Sequence, residues 1–279
     1  MLFSRMVGGL GNQLFQTAAI LKYRREKEKV IISFLGDIHI PKRVNCLRSI
    51  FEIPDWLYFD NSEKLNFLTK SFARVSAGLR FGSFLPKIGI NDRKFIYNES
   101  YYKNRKLLFL DGYFNQNWTY SQLQSLFFNL KLKPIKLNNK QLKLCNQNVV
   151  MHIRGGDFLS IEHLNICKFD YYKNSIKYFL SKGLENFIVI CEDRKYGKEL
   201  IKKLKNYFTN LQISIKKSDS IKNDFNIIRS AKFAILGNST FSWWASFLSN
   251  SKKEFLVPSN FSSKEKRILL PNETIIKNI

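Results

Sequence analysis

The sequence has 279 residues, a formal net charge of +24 and 44% hydrophobic residues. Its length predicts about two domains, and its apolar content excludes an intrinsically disordered protein. The charge predicts an anionic partner, which could be a nucleic acid, a phospholipid surface or a phosphate-bearing small molecule.

Cysteine spacing and the length of apolar runs set further limits. The four cysteines, Cys46, Cys145, Cys167 and Cys191, contain no CxxC pair, and the chain has only three histidines. This argues against a structural zinc site and predicts reduced cysteines in a cytoplasmic protein. The amino terminus lacks the apolar core of a signal peptide, and no stretch approaches the ~20 apolar residues of a transmembrane helix. Any contact with the inner face of the cytoplasmic membrane is therefore expected to be peripheral.

The first half opens on an apolar strand at 2–7, a glycine-rich turn at 8–12 and a helix from 13 to about 27. A glycine turn at a helix start presents backbone N–H groups that can bind a phosphate. The alternative is a tight turn with no ligand. The spacing matches neither GxGxxG nor a Walker loop, so neither a dinucleotide site nor an ATPase is predicted. Further along, the sequence predicts strands at 30–34 and 107–113, a helix at 120–130, and short helices and loops over 37–105.

The second half alternates apolar strands with helices beyond a lysine- and asparagine-rich segment at 131–147, which is the predicted linker. We therefore predict domains at 1–140 and 141–279. Regular alternation predicts an α/β fold with a parallel sheet covered by helices on both faces. A last helix is predicted in the tail at 261–279. The strands are predicted at 148–153, 186–191, 211–215, 232–236 and 254–257, and the helices at about 170–182, 195–207, 224–230 and 241–249.

The stretch NVVMHIRGGDF at 148–158 carries the main candidate site. Strand alternation puts His152 and Arg154 on one face at the carboxyl end of the strand, which is where open α/β sheets bind ligands. The five-donor fork of Arg154 suits phosphate oxygens, and the two glycines before Asp157 allow a close backbone approach. The alternative is an ordinary strand-to-loop exit with a surface arginine.

Two further strand ends carry polar residues. Glu192 and Asp193 follow the strand NFIVI, and Asn238 begins the run NSTFSWW after KFAILG. A carboxylate at a strand end commonly binds a ribose hydroxyl or a base edge, although NSTFS taken alone is also a plausible helix cap. Because the carboxyl ends of parallel strands meet at one sheet edge, the three ends together predict a nucleotide-diphosphate pocket.

The sequence offers no motif for metal or nucleophilic chemistry. It has no DxD between apolar strands that would hold Mg²⁺ on a sugar nucleotide, and no GxSxG or Cys–His arrangement. A metal-free site would need positive side chains and helix N-termini to stabilise a leaving diphosphate. Arg154 and the turn that begins at Ser239 are predicted to supply them.

Several segments resemble the bacterial α-1,2-fucosyltransferases of glycosyltransferase family 11, in the order that the family has them. GGLGNQLFQ at 8–16 matches the family's opening motif, and HIRGGDF at 152–158 is similar to its HxRRGDY motif. GYFNQNW at 112–118 resembles a GYWQ segment, and FIVICED at 187–193 resembles a strand ending in a Ser-Asp-Asp type of turn. DFNIIRSAKFAILGNSTFSWWASFL at 224–248 resembles a run that ends in N-S-[ST]-F-S-W-W.

This resemblance implies a GT-B fold, in which two Rossmann-like domains face each other across a cleft. The domain at 1–140 would be the acceptor side, and the domain at 141–279 would hold the GDP-sugar. The reaction implied is inverting and needs neither metal nor cofactor beyond the donor substrate. The family usually has a second arginine where this chain has Gly155, so Arg154 would remain the phosphate ligand while sugar specificity is left more open.

The resemblance also implies roles for individual residues. Arg154 would bind the β-phosphate, His152 would lie against the nucleotide, and Glu192 or Asp193 would read guanine or ribose. Arg154, His152 and Asp157 are the candidate catalytic residues, the last two as alternatives for the base. The donor-binding candidates are Gly9, Gly11, Asn12, Gln13, His152, Arg154, Glu192, Asp193, Asn238, Ser239, Thr240, Phe241 and Ser242, and the acceptor-binding candidates are Asn115 and Gln116.

The implied function is transfer of L-fucose from GDP-β-L-fucose to the 2-hydroxyl of a galactoside, in O-antigen, capsule or lipopolysaccharide assembly. The galactose-containing acceptor could be carried on a lipid, which would place the basic surface against anionic headgroups. One alternative is a GT-B transferase for another GDP-deoxysugar such as GDP-colitose. The other is a basic nucleic-acid-binding protein, which the absence of a dense lysine stripe and of spaced aromatic residues disfavours.

Overall fold

The structure is a computed structural model that describes residues 1–34, 46–85, 88–92, 106–217, 220–249 and 254–276. The chain divides into two compact units, Met1–Lys133 and Pro134–Ile279, called the first and the second unit below. The boundary expected from sequence, at 140/141, lies inside a helix of the second unit. Parts of the stretch predicted as short helices and loops, at 37–45, 86–87 and 93–105, lie outside the described residues.

Helices and strands alternate along both units. The strands are β1 Leu2–Arg5, β2 Val30–Ser33, β3 Leu57–Phe59, β4 Gly89–Ile90, β5 Leu108–Asp111, β6 Val149–Ile153, β7 Asn186–Cys191, β8 Gln212–Ile215, β9 Phe233–Ile235, β10 Glu254–Val257, β11 Asn260–Ser262, β12 Glu265–Lys266 and β13 Glu273–Ile275. The helices are α1 Leu10–Tyr23, α2 Leu47–Ile50, α3 Phe67–Gly78, α4 Phe81–Phe84, α5 Tyr120–Phe127, α6 Asn139–Gln147, α7 Asp157–Ser160, α8 Phe169–Leu180, α9 Arg194–Tyr207, α10 Ile221–Ser230 and α11 Thr240–Phe247.

The first unit is built on a parallel sheet with the strand order β3-β2-β1-β5-β4. β1 lies at its centre, and the chain reverses its direction of winding between β1 and β5. Ligands bind at such a switch point in open α/β sheets, outside the carboxyl ends of the strands. The loops that follow β1 and β5 are therefore the part of this unit best placed to hold a ligand.

The second unit is built on a six-stranded parallel sheet with the order β13-β10-β9-β6-β7-β8. Numbered within the unit, this is the order 3-2-1-4-5-6 of dinucleotide-binding folds, with its switch point between β6 and β9. Every residue of β6 is buried, as expected of a central strand covered on both faces. Met151 and Ile153 share one core cluster with residues of α8 and α9, among them Phe179 and Leu204.

The segment predicted as a linker contains the boundary between the two units, at Lys133/Pro134. Its second part forms α6, which a reciprocal capping box between Asn138 and Gln141 starts. One expectation for the second unit was wrong. The described part of the tail holds strands where one last helix was expected, because β13 pairs with β10 through Glu273 and Phe255. β12 and β13, with two and three residues, were too short to show a clear period in the sequence.

Candidate functional site

The candidate site lies at the carboxyl edge of the second unit's sheet. β6 runs between β9 and β7, and its register pairs Met151 with Ile235 and His152 with Ile190. The loops after these three strands, which carry the three polar motifs of the sequence, therefore emerge side by side. The expected convergence of HIRGGD, CED and NSTFS on one edge is confirmed, and it falls at the switch point of the sheet.

Arg154 stands at the exit of β6 with its guanidinium between two carboxylates. Its Nη2 lies 2.5 Å from Oδ1 of Asp157, and its Nη1 lies 3.4 Å from Oε2 of Glu192. The guanidinium also lies over the ring of Phe158, at 4.7 Å from the ring centroid. The Arg154 side chain is largely covered, whereas both carboxylates are exposed. The arginine is thus held in one orientation by groups that a diphosphate could displace or share.

His152 is buried on the face of β6 opposite Met151 and Ile153. Its ring packs against Phe241 of α11, with 5.7 Å between the ring centroids. Burial, together with the positive charge of Arg154, lowers the pKa of His152 from 6.5 to about 3. Its Nδ1 is buried and has no hydrogen-bond partner among the described residues. A neutral imidazole with an unsatisfied nitrogen costs stability unless a ligand or water completes it.

The two glycines after Arg154 are held by Asp193. The Gly156 N–H donates to Oδ2 of Asp193 at 3.0 Å, and the Tyr196 N–H donates to its Oδ1 at 3.1 Å. These hydrogen bonds from Tyr196 and Gly156 lower the pKa of the Asp193 carboxyl. A Cβ at Gly155 would lie 2.8 Å from Cβ of Asp193 and 3.1 Å from the Tyr196 ring. Glycine is therefore required at 155 by this brace, in the place where the resembling family usually has arginine.

The brace changes how the two acidic candidates are understood. Asp193 caps α9 and ties the loop after β6, so both of its oxygens already serve the backbone. Glu192 is exposed and reaches only Arg154 in the described contacts. Of this pair, Glu192 is the residue that remains available to a ribose or a base.

The loop after β9 divides between structural and exposed residues. Asn238 is buried, and its Nδ2 donates to the carbonyl oxygens of Leu164 and Phe261 at 2.8 Å each. Ser239 caps α11, since its Oγ accepts from the Phe241 N–H. Thr240 and Phe241 are half-buried at the start of that helix. They are the candidates of this loop whose side chains a ligand could reach.

Ser242 does not fit the phosphate-binding role expected for it. The residue is fully buried, and its Oγ lies 3.1 Å from the carbonyl oxygens of both Gly237 and Ser239. A hydroxyl in the first turn of a helix readily bonds back to the preceding backbone. Ser242 stabilises the turn from inside, and we leave it out of the donor site proposed below.

Residues that the sequence pattern did not single out also lie at this edge. Tyr172 of α8 is buried, and its hydroxyl has no hydrogen-bond partner in the part of the chain that the structure describes. A Cβ at Gly237 would lie 3.6 Å from that hydroxyl. Asp224 of α10 is buried and pairs with Lys216, which follows β8, at 3.4 Å. Tyr172 and Asp224 each lie in the first turn of their helix. Neither they nor Lys216 was a site candidate from the sequence, although Asp224 begins the run at 224–248 quoted above. Only the sheet order brings them to the edge.

In the first unit, the glutamines of GGLGNQLFQ serve the backbone. Gln16 and Val7 exchange two 2.9 Å hydrogen bonds, side chain to backbone in both directions. The Gln13 amide donates to the carbonyl of Gly8 at 3.0 Å and accepts from the Cys46 N–H at 3.1 Å. Both glutamines are fully buried. Gln13, expected to bind the donor, therefore holds the turn between β1 and α1.

The glycine turn is shorter than expected, because α1 begins at Leu10. Gly11 is buried inside the first helical turn, whereas Gly9 and Asn12 are half-buried. Gly8 is the residue with a left-handed backbone, at φ +78. A side chain at Gly8 would be strained, and its Cβ would lie 2.6 Å from Nδ2 of Asn12.

The loop after β5 is braced from below by two aspartates. Asp111 is buried and accepts from Arg5, Arg80 and Ser83. Burial alone would raise the pKa of Asp111, but these hydrogen bonds hold it below its usual value. Asp92 accepts from the backbone N–H groups of Tyr113 and Phe114.

The acceptor candidates lie on this braced loop. Asn115 is half-buried and Gln116 is exposed. Phe114 and Asn117 on either side have left-handed backbones, at φ +52 and +62. A buried phenylalanine in this conformation is a strained position that the surrounding structure must hold. The loop thus presents two amide side chains from a fixed backbone.

The described residues contain no group of three or more His, Cys, Asp or Glu side chains arranged to hold a metal ion. All four cysteines are free thiols. Burial raises the pKa of Cys191, beside the site, to about 11. Over the same described ranges, no helix has the length and apolar character needed to cross a bilayer.

Comparisons with known proteins agree on the kind of protein this chain is similar to. A family model described as "Glycosyl transferase family 11" matches residues 90–277. The O-antigen biosynthesis glycosyltransferase WbnK of Escherichia coli is 25% identical, over 92% of this chain and 93% of that protein. An alpha-1,2-colitosyltransferase of Escherichia coli is 30% identical, over 88% of this chain and 87% of that protein.

Solved structures share the fold at low sequence identity. POFUT1 in complex with GDP has a TM-score of 0.52 at 12% identity, covering 92% of this chain and 97% of that one. E. coli ADP-heptose lps heptosyltransferase II has a TM-score of 0.50 at 11% identity, covering 99% and 89%. These are GT-B glycosyltransferases, and the two α/β units with parallel sheets described above have that fold.

Proposed function

The chain belongs to glycosyl transferase family 11, and from that premise we propose that it moves a deoxysugar from a GDP-sugar to the 2-hydroxyl of a galactoside. The first candidate donor is GDP-β-L-fucose, and the product is an α-1,2 linkage in a surface glycan such as an O-antigen. The single observation that best supports the donor site is that Arg154 and the buried Nδ1 of His152, which has no partner among the described residues, lie together at the switch point of the second sheet.

Arg154 is assigned to the diphosphate. Inversion at the anomeric carbon forms the new glycosidic bond as the bond to the GDP oxygen breaks, so negative charge develops on the β-phosphate. A planar guanidinium at the strand end can donate two hydrogen bonds to those oxygens. The N-terminal turn of α11, half-buried at Thr240 and Phe241, adds its dipole on the same edge. Gly9 and Asn12, in the turn of the first unit, are kept as further donor contacts.

His152 is assigned to binding rather than to proton removal. A general base works best with a pKa near the working pH, and the pKa of His152 is lowered to about 3. Asp157 is exposed and adjacent to Arg154, which leaves it as the candidate base for the acceptor hydroxyl. Asn115 and Gln116 remain the candidate acceptor contacts.

Recognition of the guanine ring is assigned to a carboxylate, because guanine presents two adjacent N–H donors on its pairing edge. Glu192 is exposed beside Arg154. Asp224 is a second candidate, since the neighbouring Phe225 packs against Phe241, and Phe241 packs against His152. Glu192→Gln and Asp224→Asn, titrated with GDP and with ADP, would show which carboxylate discriminates guanine from adenine.

GDP-colitose is the second candidate donor. The colitosyltransferase relative is 30% identical to this chain, against 25% for the O-antigen glycosyltransferase. Colitose lacks a hydroxyl that fucose carries, so the two donors differ by one polar contact, which can change kcat/KM greatly when the site is built to bond it.

The test is a panel of GDP-fucose, GDP-colitose and GDP-mannose with galactoside acceptors, and with the linkage of each product determined by NMR. We expect an α-1,2 product from a GDP-deoxysugar and no product from GDP-mannose. A chain that uses only other sugar nucleotides, or that forms another linkage, contradicts the proposal. The same panel in excess EDTA tests the metal-free mechanism, for which turnover should persist. Loss of turnover that Mg²⁺ or Mn²⁺ restores would show that the diphosphate needs a cation as well as Arg154.

A further inference from the structure

Helix α3 of the first unit has its large apolar side chains on the outside. Leu68, Val75 and Leu79 are 77%, 50% and 59% exposed, and Phe67 at its start is 80% exposed. Leu68, Phe72, Val75 and Leu79 are spaced i, i+4, i+7 and i+11, which aligns them along one side of a helix. Together with Phe67, these four residues are called the α3 stripe below. Exposing such a stripe to water is unfavourable unless another surface covers it.

The inner face of the same helix is lined by small residues. Ala73, Ser76 and Ala77 are buried against the sheet, and Ala73 packs in a core cluster with Phe3 and Phe109. The usual amphipathic pattern would put the large residues here. The stripe is therefore not the face of α3 that packs on the sheet, because the small residues already occupy that face.

The helix that carries the stripe is packed firmly against the first unit. Phe72 anchors it, with its ring 5.2 Å from that of Phe3 and 6.0 Å from that of Phe109. Asn66 caps the helix by accepting from the Thr69 N–H at 2.8 Å. Phe84 of α4 adds another exposed ring, at 71%, a few residues beyond the end of the stripe.

The sequence around the stripe is rich in basic residues. No acidic residue occurs between Glu63 and Asp92, whereas five basic residues do. Of these, Lys64, Arg74 and Arg80 are exposed; Arg74 pairs with Asp60 at 3.6 Å, and Arg80 pairs with Asp111 at 2.9 Å. Long basic side chains that flank an apolar helix face keep their charged ends in the headgroup region while the apolar face enters the membrane.

We propose that the α3 stripe is a membrane-docking surface that lies in the interface of a bilayer with anionic headgroups. The stripe supplies apolar area, and its basic neighbours supply attraction to lipid phosphates, the two contributions that anchor interfacial helices. A second copy of the chain fits less well, because it would bring two sets of like charges together on a chain of net charge +24. This proposal does not depend on the donor or acceptor assigned above.

The test measures binding of the full chain to vesicles by co-sedimentation. One set is pure phosphatidylcholine, and in the other about a third of the lipid is phosphatidylglycerol. We expect binding to the anionic vesicles that weakens as salt is raised. The variant Phe67→Ser/Leu68→Ser/Leu79→Ser should lose roughly 30-fold or more in partition, because three apolar side chains no longer enter the lipid.

Matched controls separate docking from general stickiness. Phe128→Ser removes an apolar side chain that is 84% exposed elsewhere in the first unit and should bind as wild type does. Lys64→Glu/Lys70→Glu should bind anionic vesicles more weakly than Lys202→Glu/Lys203→Glu, which makes the same charge change on α9. Failure of wild type to bind anionic vesicles overturns the proposal. The proposal is also overturned if the triple variant binds vesicles as well as Phe128→Ser does. It is overturned as well if the chain is a dimer in solution and, of these variants, only the triple variant is monomeric.

Discussion

At the scale of single residues, His152 shows how burial and a neighbouring charge fit a side chain to binding. The imidazole is buried beside Phe241 and lies two residues before Arg154, and its pKa falls to about 3. It therefore stays neutral through the physiological range, able to donate one hydrogen bond and accept another. Its orphaned Nδ1 marks where one such bond is missing.

The depressed pKa of His152 predicts a loss of stability in mild acid. The unfolded chain binds a proton near pH 6.5, whereas the folded protein resists it down to about 3. Stability from this group is therefore complete above the unfolded value and falls as the pH drops, by about 2 kcal/mol between about pH 7 and about pH 5. Denaturant unfolding of wild type and His152→Asn over this range isolates the effect. Parallel stability curves for the two proteins would contradict it.

Gly155 carries a second residue-scale prediction. A Cβ there meets Cβ of Asp193 at 2.8 Å, so even alanine must displace the brace that receives the Gly156 N–H. We expect Gly155→Ala and Gly155→Arg each to lower the free energy of unfolding by about 1–3 kcal/mol and to weaken GDP binding. Restoring the arginine usual in the family should therefore bring no gain. A Gly155→Arg protein as stable as wild type, with tighter GDP binding, would contradict this account of the brace.

At the scale of elements, the turn between β1 and α1 is fixed by side-chain hydrogen bonds as well as by its glycines. Gln13 and Gln16 reach back from the helix to the carbonyls of Gly8 and Val7. These bonds fix where the strand ends and how the helix leaves it. The motif thus has a structural role whether or not a phosphate binds above it.

This turn offers a matched pair of glycine substitutions. Gly8 has φ +78 and Gly9 has φ −75, so only the first needs a conformation that side chains disfavour. Gly8→Ala should cost about 1–2 kcal/mol, and Gly9→Ala should be close to neutral in stability. Thermal melts of both variants check this. Equal midpoints would mean that the turn relaxes. A raised KM for the donor in Gly9→Ala would add support for its proposed donor contact.

The sequence predicted the strands of the second sheet closely, because short apolar runs between polar turns are a pattern typical of buried strands. β7 and β10 have the bounds expected. Ser242 and Gln13, expected to bind the donor, have backbone partners in the structure. A motif residue can serve the backbone as readily as a ligand, and the sequence alone does not show its hydrogen-bond partners. The short strands of the tail were missed, because two or three residues cannot show a period.

At the scale of the whole molecule, the strand order decides where function can lie. The sequence gives alternation but not the order β13-β10-β9-β6-β7-β8, which places the switch point beside Arg154. Nor could it show that Tyr172 and Asp224 come to the same edge, since long-range packing puts them there. Charge acts at this scale too. A net charge of +24 favours any phosphate-bearing partner, whether a small molecule or a lipid surface. Which of these binds at a given place depends on the local geometry there.

The most direct test of the central claim is calorimetric titration of GDP into wild type, Arg154→Lys, Arg154→Ala and the surface control Lys202→Ala, with melting curves for each. We expect GDP to bind wild type and the control equally. Arg154→Ala should weaken GDP binding about 10- to 100-fold and lower kcat/KM by roughly 10²- to 10³-fold, with little recovery in Arg154→Lys because an ammonium lacks the bidentate fork. If both Arg154 variants fold, bind GDP as wild type does and turn over within a few-fold of it, the donor diphosphate does not lie at this strand end.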